Sequence, residues 1–154
     1  MVEKYFGGKV PSKVTSHKSQ VTSKNLEAKA VGLAAELERT IPQFDFTGAL
    51  SKIWEVINLA NKFIEDSKPW ALAKEKKEEE LSECIYTLLE ILRIAAISIY
   101  PFMPDTAKNI WAQLGMKEDL EKVKSSDAAS SGRLETGKKV NKANPLFPRI
   151  ETQP

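Results

Sequence analysis

Apolar residues recur at steps of three and four over most of the chain, which is the spacing of one buried face on an α-helix. The clearest stripe runs from about residue 44 to residue 68 and contains Leu50, Ile53, Trp54, Ile57, Ala60 and Ile64. Similar stripes predict a helix over about 25–39 and another over about 104–114. Because Trp54 and Trp111 occupy stripe positions, both indole rings are expected in the core.

The segment from about Glu79 to Tyr100 is apolar almost all round, so its apolar residues cannot share one face. We therefore expect it to be the central helix, with neighbours on every side. Its most apolar part contains Arg93 and is shorter than the roughly 20 apolar residues that cross a bilayer, so no membrane contact is expected.

Helix-ending signals divide these segments. Ser23 and Asp45 are suited to cap the N-termini of the first two helices, because their side-chain oxygens can accept backbone N–H bonds. Pro69 should end the second helix, since a proline ring clashes with the preceding turn. Near the start, Gly7 follows what resembles the last turn of a helix, most of which would precede Met1.

The predicted fold is all-α, an antiparallel bundle of about five helices with an extended C-terminal tail. The sequence contains no alternating strand pattern and no internal repeat. The bundle is expected over residues 1–136, with its first helix truncated at the N-terminus. Residues 137–154 contain three prolines and are expected to run as an extended peptide.

The residues that carry most enzyme chemistry are scarce. With one cysteine and one histidine, the chain can form neither an internal disulfide nor a Cys/His metal cluster. Cys84 lies in an apolar helix and is expected at its core or boundary, and His17 is expected in a solvated loop. No catalytic residues and no metal site are predicted. The start of the chain lacks the apolar stretch of a secretory signal, so a cytoplasmic location is expected.

The net charge of +2 is unevenly distributed. Residues 1–24 carry five lysines against one glutamate, and residues 132–154 carry five basic side chains against two acidic ones. Residues 25–131 carry 13 basic and 18 acidic side chains, a net charge of −5. Basic termini can contact phosphates, but solvated tails have the same composition, so charge alone does not identify a nucleic-acid-binding protein.

One group of polar and aromatic residues surrounds the end of the second predicted helix. Asn61 and Glu65 lie one turn apart on the flank of the apolar stripe, and the corner at Pro69 places Trp70 beside the last turn. An aromatic ring can stack on an unpaired base while amide and carboxylate groups read its edge. The residue types alone nevertheless favour a structural interpretation, with a core tryptophan, a helix-breaking proline and a surface amide.

Segments in order along the chain resemble the C-terminal anticodon-binding domain of methionyl-tRNA synthetases, which are class I aminoacyl-tRNA synthetases. Residues 61–74 look like the anticodon-reading segment, and residues 4–11 resemble the chain after the first bundle helix. Residues 100–104, followed by Trp111, are similar too, although related synthetases share that pattern. Residues 145–150 resemble the closing peptide of the family.

The resemblance implies a role for each residue of the group. Trp70 would stack on a base of the tRNA(Met) anticodon, Pro69 would shape the corner, and Glu65 and Asn61 would lie near the anticodon. Two lysines beside them, Lys62 and Lys68, are expected to contact phosphates. The family also reads the anticodon with an Asn and an Arg that would precede the start of this chain, so specific binding by this chain alone does not follow.

The resemblance also implies that catalysis belongs to the parent enzyme, which attaches methionine to tRNA(Met) with ATP. The His-Ile-Gly-His and Lys-Met-Ser-Lys-Ser signatures and the zinc-binding cysteines of the family are absent from this sequence. ATP, Mg²⁺ and zinc would therefore belong to the catalytic half, and no cofactor is expected here. The expected partners are the anticodon stem-loop and the catalytic domain of the same enzyme, against which residues 137–154 could also pack. DNA is not expected as a partner.

Two alternatives remain from the sequence. The chain could be the anticodon-binding domain of a valine, isoleucine or leucine synthetase, which a comparison of anticodons would reveal. It could instead be a non-catalytic helical protein-interaction module, which would show no preference among RNA hairpins.

Overall fold

The computed structural model describes residues 1–13, 20–123, 133–142 and 145–147. In these residues the chain forms six α-helices: α1 (Val2–Phe6), α2 (Gln20–Thr40), α3 (Phe46–Ser67), α4 (Pro69–Lys74), α5 (Glu78–Ile99) and α6 (Pro104–Gln113). Two 3₁₀ turns, Ile41–Gln43 and Leu120–Lys122, follow α2 and α6. Apart from one isolated bridge between Lys9 and Lys139, the described part of the chain contains no β-structure. The predicted helical bundle is confirmed.

Helix α5 lies at the centre, as its all-round apolar sequence predicted. Seventeen of its 22 residues are buried, and α2, α3, α4 and α6 all pack against it. The end of α3 lies near the start of α5, because Ser67 hydrogen-bonds to Cys84, whereas Phe46 at the start of α3 contacts Phe102 beyond the end of α5. The two helices are therefore antiparallel. None of the helices among the described residues is long and apolar enough to cross a membrane.

The ends of α1 and α3 follow the predicted signals. Asp45 caps α3 by accepting a hydrogen bond from the Gly48 amide at 2.8 Å, and α3 ends at Ser67, before the proline. Gly7 ends α1 in the left-handed conformation, at φ 56°. Glycine is favoured there because a Cβ atom would crowd the backbone.

The predicted start of the second helix in the structure, α2, was wrong. It begins at Gln20 rather than at about Asn25, so Ser23 lies inside the helix and does not cap it. Ser23 is buried, and its hydroxyl donates a hydrogen bond to the Glu83 carboxylate on α5 at 3.4 Å. Packing against α5 explains why a residue with a strong capping preference occupies the helix interior.

Only one of the two tryptophans expected in the core lies there. Trp111 is buried, and its indole N–H donates to the Glu118 carbonyl at 2.7 Å. Trp54 was predicted wrongly, because its side chain is 44% exposed and lines a surface groove. Helical periodicity places a residue on a stripe, but it does not determine whether another element covers that part of the stripe. His17 lies outside the described residues.

Cys84 is buried in α5, as expected. Burial raises the pKa of its thiol to about 11, an effect that the nearby Glu83 charge increases and the Ser67 hydrogen bond opposes. The thiol is therefore protonated near neutral pH, which makes it a poor nucleophile.

Residues 133–142 return across the bundle and pair with the loop that follows α1. The Val10 amide donates to the Lys138 carbonyl, the Gly137 amide to the Val10 carbonyl and the Val140 amide to the Gly8 carbonyl, each at 2.8 Å. This pairing holds the end of α1 against the bundle. The boundary at residue 136, between the bundle and the extended C-terminal peptide, stays a prediction.

A buried ion pair on α5 anchors the returning segment. Arg93 is 1% exposed, and its Nε donates to Glu90 Oε2 at 3.0 Å. The other carboxylate oxygen of Glu90 accepts the Leu134 amide at 2.6 Å, while the Tyr86 hydroxyl donates to the Leu134 carbonyl at 3.2 Å. Both backbone groups of Leu134 are thereby satisfied by side chains of α5.

Replacing Glu90 with alanine should strongly destabilise the fold. The substitution leaves the buried Arg93 guanidinium without this carboxylate and removes the acceptor for the Leu134 amide, so the free energy of unfolding should fall by about 3–5 kcal/mol. Urea denaturation followed by circular dichroism measures the change. Glu36→Ala is the control, because it removes an exposed Glu36–Arg39 pair and should cost only about 0.5 kcal/mol. Equal losses in the two variants would contradict an anchoring role for Glu90.

Candidate nucleic-acid interface

The corner between α3 and α4 is built by two residues. Lys68 adopts the left-handed conformation at φ 45°, and its amide donates to the Ile64 carbonyl at 3.0 Å. The Lys68 carbonyl then accepts the amides of Ala71 at 2.7 Å and Leu72 at 3.2 Å. Pro69 occupies the first position of α4, where its missing N–H costs nothing and its fixed φ suits a helix. The chain thus changes direction at Lys68, between the two helices.

The corner buries Pro69 and exposes Trp70. The proline ring is among the fully buried side chains, whereas the indole of the next residue is 52% exposed. A core position for Trp70, which the residue types alone favoured, is therefore wrong. An indole that is half exposed and fixed on the first turn of a helix has a face available for stacking.

The predicted polar residues lie along the exposed side of α3. The side chains of Asn61, Lys62 and Glu65 are all exposed, and so is that of Lys68 at the corner. Asn61 and Glu65 are four residues apart, which separates them by about 6 Å along the helix axis. The structure thus presents all four polar side chains to solvent on the last two turns of α3 and the corner that follows.

Asn61 also lies at an apolar groove between α1, α3 and α5. The groove has a volume of about 290 Å³ and includes Met1, Val2, Ile64 and Leu92 among its lining residues. Glu65, Pro69 and Trp70 are not among the lining residues, as far as the structure describes the chain. The structure therefore brings Asn61 together with the start of α1, while Trp70 stands at the corner beyond the groove.

The proximity of Met1 and Val2 to Asn61 was not predicted from the sequence. The only signal of this proximity in the sequence was that α5 carries apolar residues on all its faces, among them the half-exposed Leu92. This all-round apolar sequence predicted that other elements pack on every side of α5, but it did not predict which part of α5 is left uncovered.

The described residues contain no cluster of three or more His, Cys, Asp or Glu side chains able to hold a metal ion. The side chains at the corner are instead an aromatic ring, an amide, a carboxylate and two ammonium groups. These can stack, donate and accept hydrogen bonds, and contact phosphates. Their arrangement suits recognition of a single-stranded nucleic acid.

Comparison with known proteins identifies the family. The sequence pattern of the family described as "Anticodon-binding domain of tRNA ligase" matches residues 23–144, which is most of the chain. The chain belongs to this family.

Similar proteins are methionine–tRNA ligases. The chain is 37% identical over 154 residues to the enzyme of Caldanaerobacter subterraneus subsp. tengcongensis and 36% identical over 156 residues to that of Bacillus subtilis. Each alignment covers 99% of this chain and 23% of the relative. The chain thus spans about a quarter of the length of these relatives.

The fold likeness agrees with the sequence likeness. The methionyl-tRNA synthetase of Mycobacterium tuberculosis, solved in complex with methionyl-adenylate, superposes with a TM-score of 0.80 at 32% identity. The match covers 97% of this chain and 28% of that one. The predicted resemblance to the anticodon-binding domain of methionyl-tRNA synthetases is confirmed, and the matching part is the anticodon-binding rather than the catalytic part of those enzymes.

The different environments of two tryptophans in this anticodon-binding domain predict losses of stability of different size. Trp70→Ala removes a half-exposed ring and should lower the free energy of unfolding by about 1 kcal/mol or less. Trp111→Ala leaves a cavity in the core and should lower it by about 3–5 kcal/mol. Urea unfolding of both variants tests this, and a large loss for Trp70→Ala would mean that the indole is needed for folding.

Proposed function

We propose that this chain recognises the anticodon stem-loop of tRNA(Met) as part of a methionine–tRNA ligase. The parent enzyme attaches methionine to tRNA(Met) with ATP in the cytoplasm, and its catalytic part holds the ATP, Mg²⁺ and zinc. The observation that carries the proposal is the half-exposed Trp70 on the buried Pro69, in a chain of the anticodon-binding family.

Trp70 captures one anticodon base by stacking. The indole is anchored on the first turn of α4, whose preceding proline is packed in the core, so little side-chain and backbone freedom is lost on binding. Stacking of one base on an aromatic ring contributes about 1–3 kcal/mol and does not depend strongly on the base. Trp70 therefore supplies affinity, and specificity must come from its polar neighbours.

Asn61 and Glu65 supply hydrogen-bonding groups for the base edges. An amide offers both a donor and an acceptor, and a carboxylate accepts the exocyclic amino group of cytosine or adenine. Both side chains are exposed on α3, so they reach an RNA loop without rearrangement of the bundle. The two groups together favour bases that present amino groups, which the first two positions of a CAU anticodon do.

Lys62 and Lys68 provide the positive charge that the phosphates need. The stretch from residue 25 to residue 131, which contains both lysines, carries a net charge of −5, so on average this stretch repels RNA. Local lysines beside the stacking ring offset this repulsion only where the anticodon loop docks. The charge distribution thus favours one orientation of the RNA.

The second candidate, an anticodon-binding domain for valine, isoleucine or leucine tRNA, is less well supported. The relatives and solved structures described above are methionine enzymes. Hairpins carrying the anticodons of those amino acids test the distinction directly.

Trp70→Ala should weaken binding of a CAU anticodon hairpin by about 5- to 150-fold, because one stacked base, worth about 1–3 kcal/mol, is lost. Fluorescence anisotropy of a labelled hairpin measures the dissociation constant. Trp54→Ala is the matched control, since it removes a similarly exposed indole at the other end of α3 and should bind the hairpin normally. The same hairpin with an altered anticodon should bind the unmodified chain more weakly than CAU does. Equal affinity of the Trp70 variant and the unmodified chain, with normal circular dichroism, would argue against the proposed role.

Phosphate contacts by Lys62 and Lys68 should make hairpin binding depend more steeply on the salt concentration. Each lost phosphate contact lowers the slope of log K against log salt by about 0.7 for single strands, so Lys62→Gln with Lys68→Gln should lower it by about 1.4. The slope is measured between 50 and 200 mM KCl, a range of about fourfold. Lys52→Gln, near the start of the same helix, should leave the slope unchanged. A double variant with an unaltered slope would exclude phosphate contacts by these two lysines.

A further inference from the structure

Basic side chains from two distant parts of the sequence meet where the returning segment pairs with the loop after α1. Residues 1–13 and 133–142 together carry seven basic side chains against two acidic ones, a net charge of +5. Residues 20–123, by contrast, carry 13 basic side chains against 17 acidic ones. The fold thus gathers a positive surface on a bundle that is otherwise acidic.

Lys9 and Lys139 lie directly opposite each other in this pairing, as an isolated antiparallel bridge. On each side of the bridge, the amide of the residue after one lysine donates to the carbonyl of the residue before the other, at 2.8 Å. This is the pattern of a non-hydrogen-bonded pair, in which the Cβ atoms are about 4.5–5.5 Å apart. The two lysine side chains therefore leave the backbone close together and on the same side.

The two ammonium groups of this pair repel each other, because like charges directly opposite destabilise an antiparallel pair. Both lysine side chains are exposed. Among the described residues, neither Lys9 nor Lys139 has a carboxylate within ion-pairing distance, including those of Glu3 and Glu135. The described part of the domain thus does not relieve the repulsion, whereas an anion bound between the two lysines would.

The backbone of Lys139 is fixed by the end of α6. The Asn141 amide donates to the Gln113 carbonyl, and Asn141 Nδ2 donates to the Ala112 carbonyl, each at 2.8 Å. At Gly115, which has φ 70°, a Cβ atom would lie 2.3 Å from the Lys139 carbonyl oxygen, so glycine is needed for this close approach. The backbone that carries the lysine pair is therefore in place before a ligand binds, which lowers the entropic cost of binding.

The lysine pair lies close to the residues proposed to read the anticodon. Val10, which follows Lys9, belongs to an apolar cluster against which α4, the helix of Trp70, also packs. At the start of α1, Val2 lines the same groove as Asn61. The chain from Val2 to Lys9 spans at most about 17 Å, since α1 is helical over five residues. One RNA hairpin can therefore reach both regions.

We propose that Lys9 and Lys139 clamp backbone phosphates of the anticodon stem while Trp70 and its neighbours hold the loop. This inference rests on the proposed function and extends it from the anticodon to the stem that carries it. Lys62 and Lys68 serve the loop beside Trp70, whereas the lysine pair is reached by the next part of the hairpin. Binding replaces the repulsion between the two lysines with the attraction of both to RNA.

The stem suits the pair because a duplex concentrates negative charge along its axis. Contacts with phosphates orient a nucleic acid but carry no sequence information. The lysine pair should therefore position the hairpin and contribute the same affinity whatever the anticodon.

Lys9→Gln combined with Lys139→Gln tests the clamp. Fluorescence anisotropy measures binding of the CAU hairpin from about 50 to 200 mM KCl. Losing one duplex phosphate contact lowers the slope of log K against log salt by about 0.9, so the loss of affinity at the lowest salt should exceed that at the highest by about 3.5-fold. An unaltered slope overturns the proposal.

Lys52→Gln combined with Lys122→Gln is the matched control. It removes the same charge from the first half of α3 and from the 3₁₀ turn after α6, and it should leave the slope unchanged. An equal change of slope in the control would mean that only the net charge matters, which also overturns the proposal.

Neutral methylphosphonate groups, placed one at a time along the hairpin, locate the contact. At the contacted stem position the substitution should weaken binding by the unmodified chain but not by the double glutamine variant, which has already lost the contact. A linear oligonucleotide with the loop sequence alone should bind both chains with the same affinity, because it has no stem. Weaker binding of that oligonucleotide by the double glutamine variant would assign the lysines to the loop and overturn the proposal.

Lys9→Glu separates binding from folding. It replaces the like charges with an opposite-charge pair across the bridge, so the urea midpoint of unfolding should rise. Affinity for the hairpin should nevertheless fall, and the higher midpoint excludes unfolding as the cause. A Lys9→Glu chain that binds the hairpin as tightly as the unmodified chain overturns the proposal.

The preference for CAU distinguishes this inference from the proposed function. The double glutamine variant should bind the CAU hairpin and the altered hairpin more weakly by the same factor. If the unmodified chain prefers CAU and the double glutamine variant binds both hairpins as tightly as it does, the clamp is overturned and anticodon recognition stands. If the unmodified chain shows no preference but the variant binds every stem more weakly, the clamp stands and anticodon recognition is overturned.

Discussion

The burial of α5 on nearly all sides is the constraint from which most other features of the domain follow. A helix that is apolar all round is stable in water only when other elements cover most of its surface, and α2, α3, α4 and α6 do so here. The same burial sets a requirement for its polar residues. Arg93 and Glu90 are removed from water, so Arg93 donates to the Glu90 carboxylate, which also accepts the Leu134 amide. That requirement fixes the returning segment, which in turn pairs with the loop after α1.

The corner between α3 and α4 is a consequence of this packing. Helix α3 lies antiparallel to α5, and the short α4 must fold back onto α5 to cover its first turns. The left-handed conformation of Lys68 changes the direction of the chain there, and Pro69 is buried in the core. Since consecutive residues of a helix point in different directions, burying the proline leaves the next side chain, Trp70, facing outward. The exposed ring is therefore positioned by the core.

The two ends of α3 differ in chemistry. One end presents an indole, an amide, a carboxylate and two lysines, which suit a polar and charged ligand. The other presents Phe44, Phe46 and Trp54 around a groove without charged residues, which suits a protein surface. A rigid helix of 22 residues keeps the two surfaces at a constant separation.

The sequence by itself determined the helical class, the central position of α5 and the ends of α3, because apolar periodicity, Asp45 and Pro69 act through local geometry. It also determined the family, because residues 61–74 and the other matching segments have a specific order and spacing. Only the tertiary structure decided which of these residues are exposed. Ser23 became buried inside α2, Trp54 stayed half exposed despite its stripe position, and Trp70 was exposed where residue types favoured the core. The reason is that exposure depends on which neighbouring element covers a residue, and that neighbour is distant in sequence.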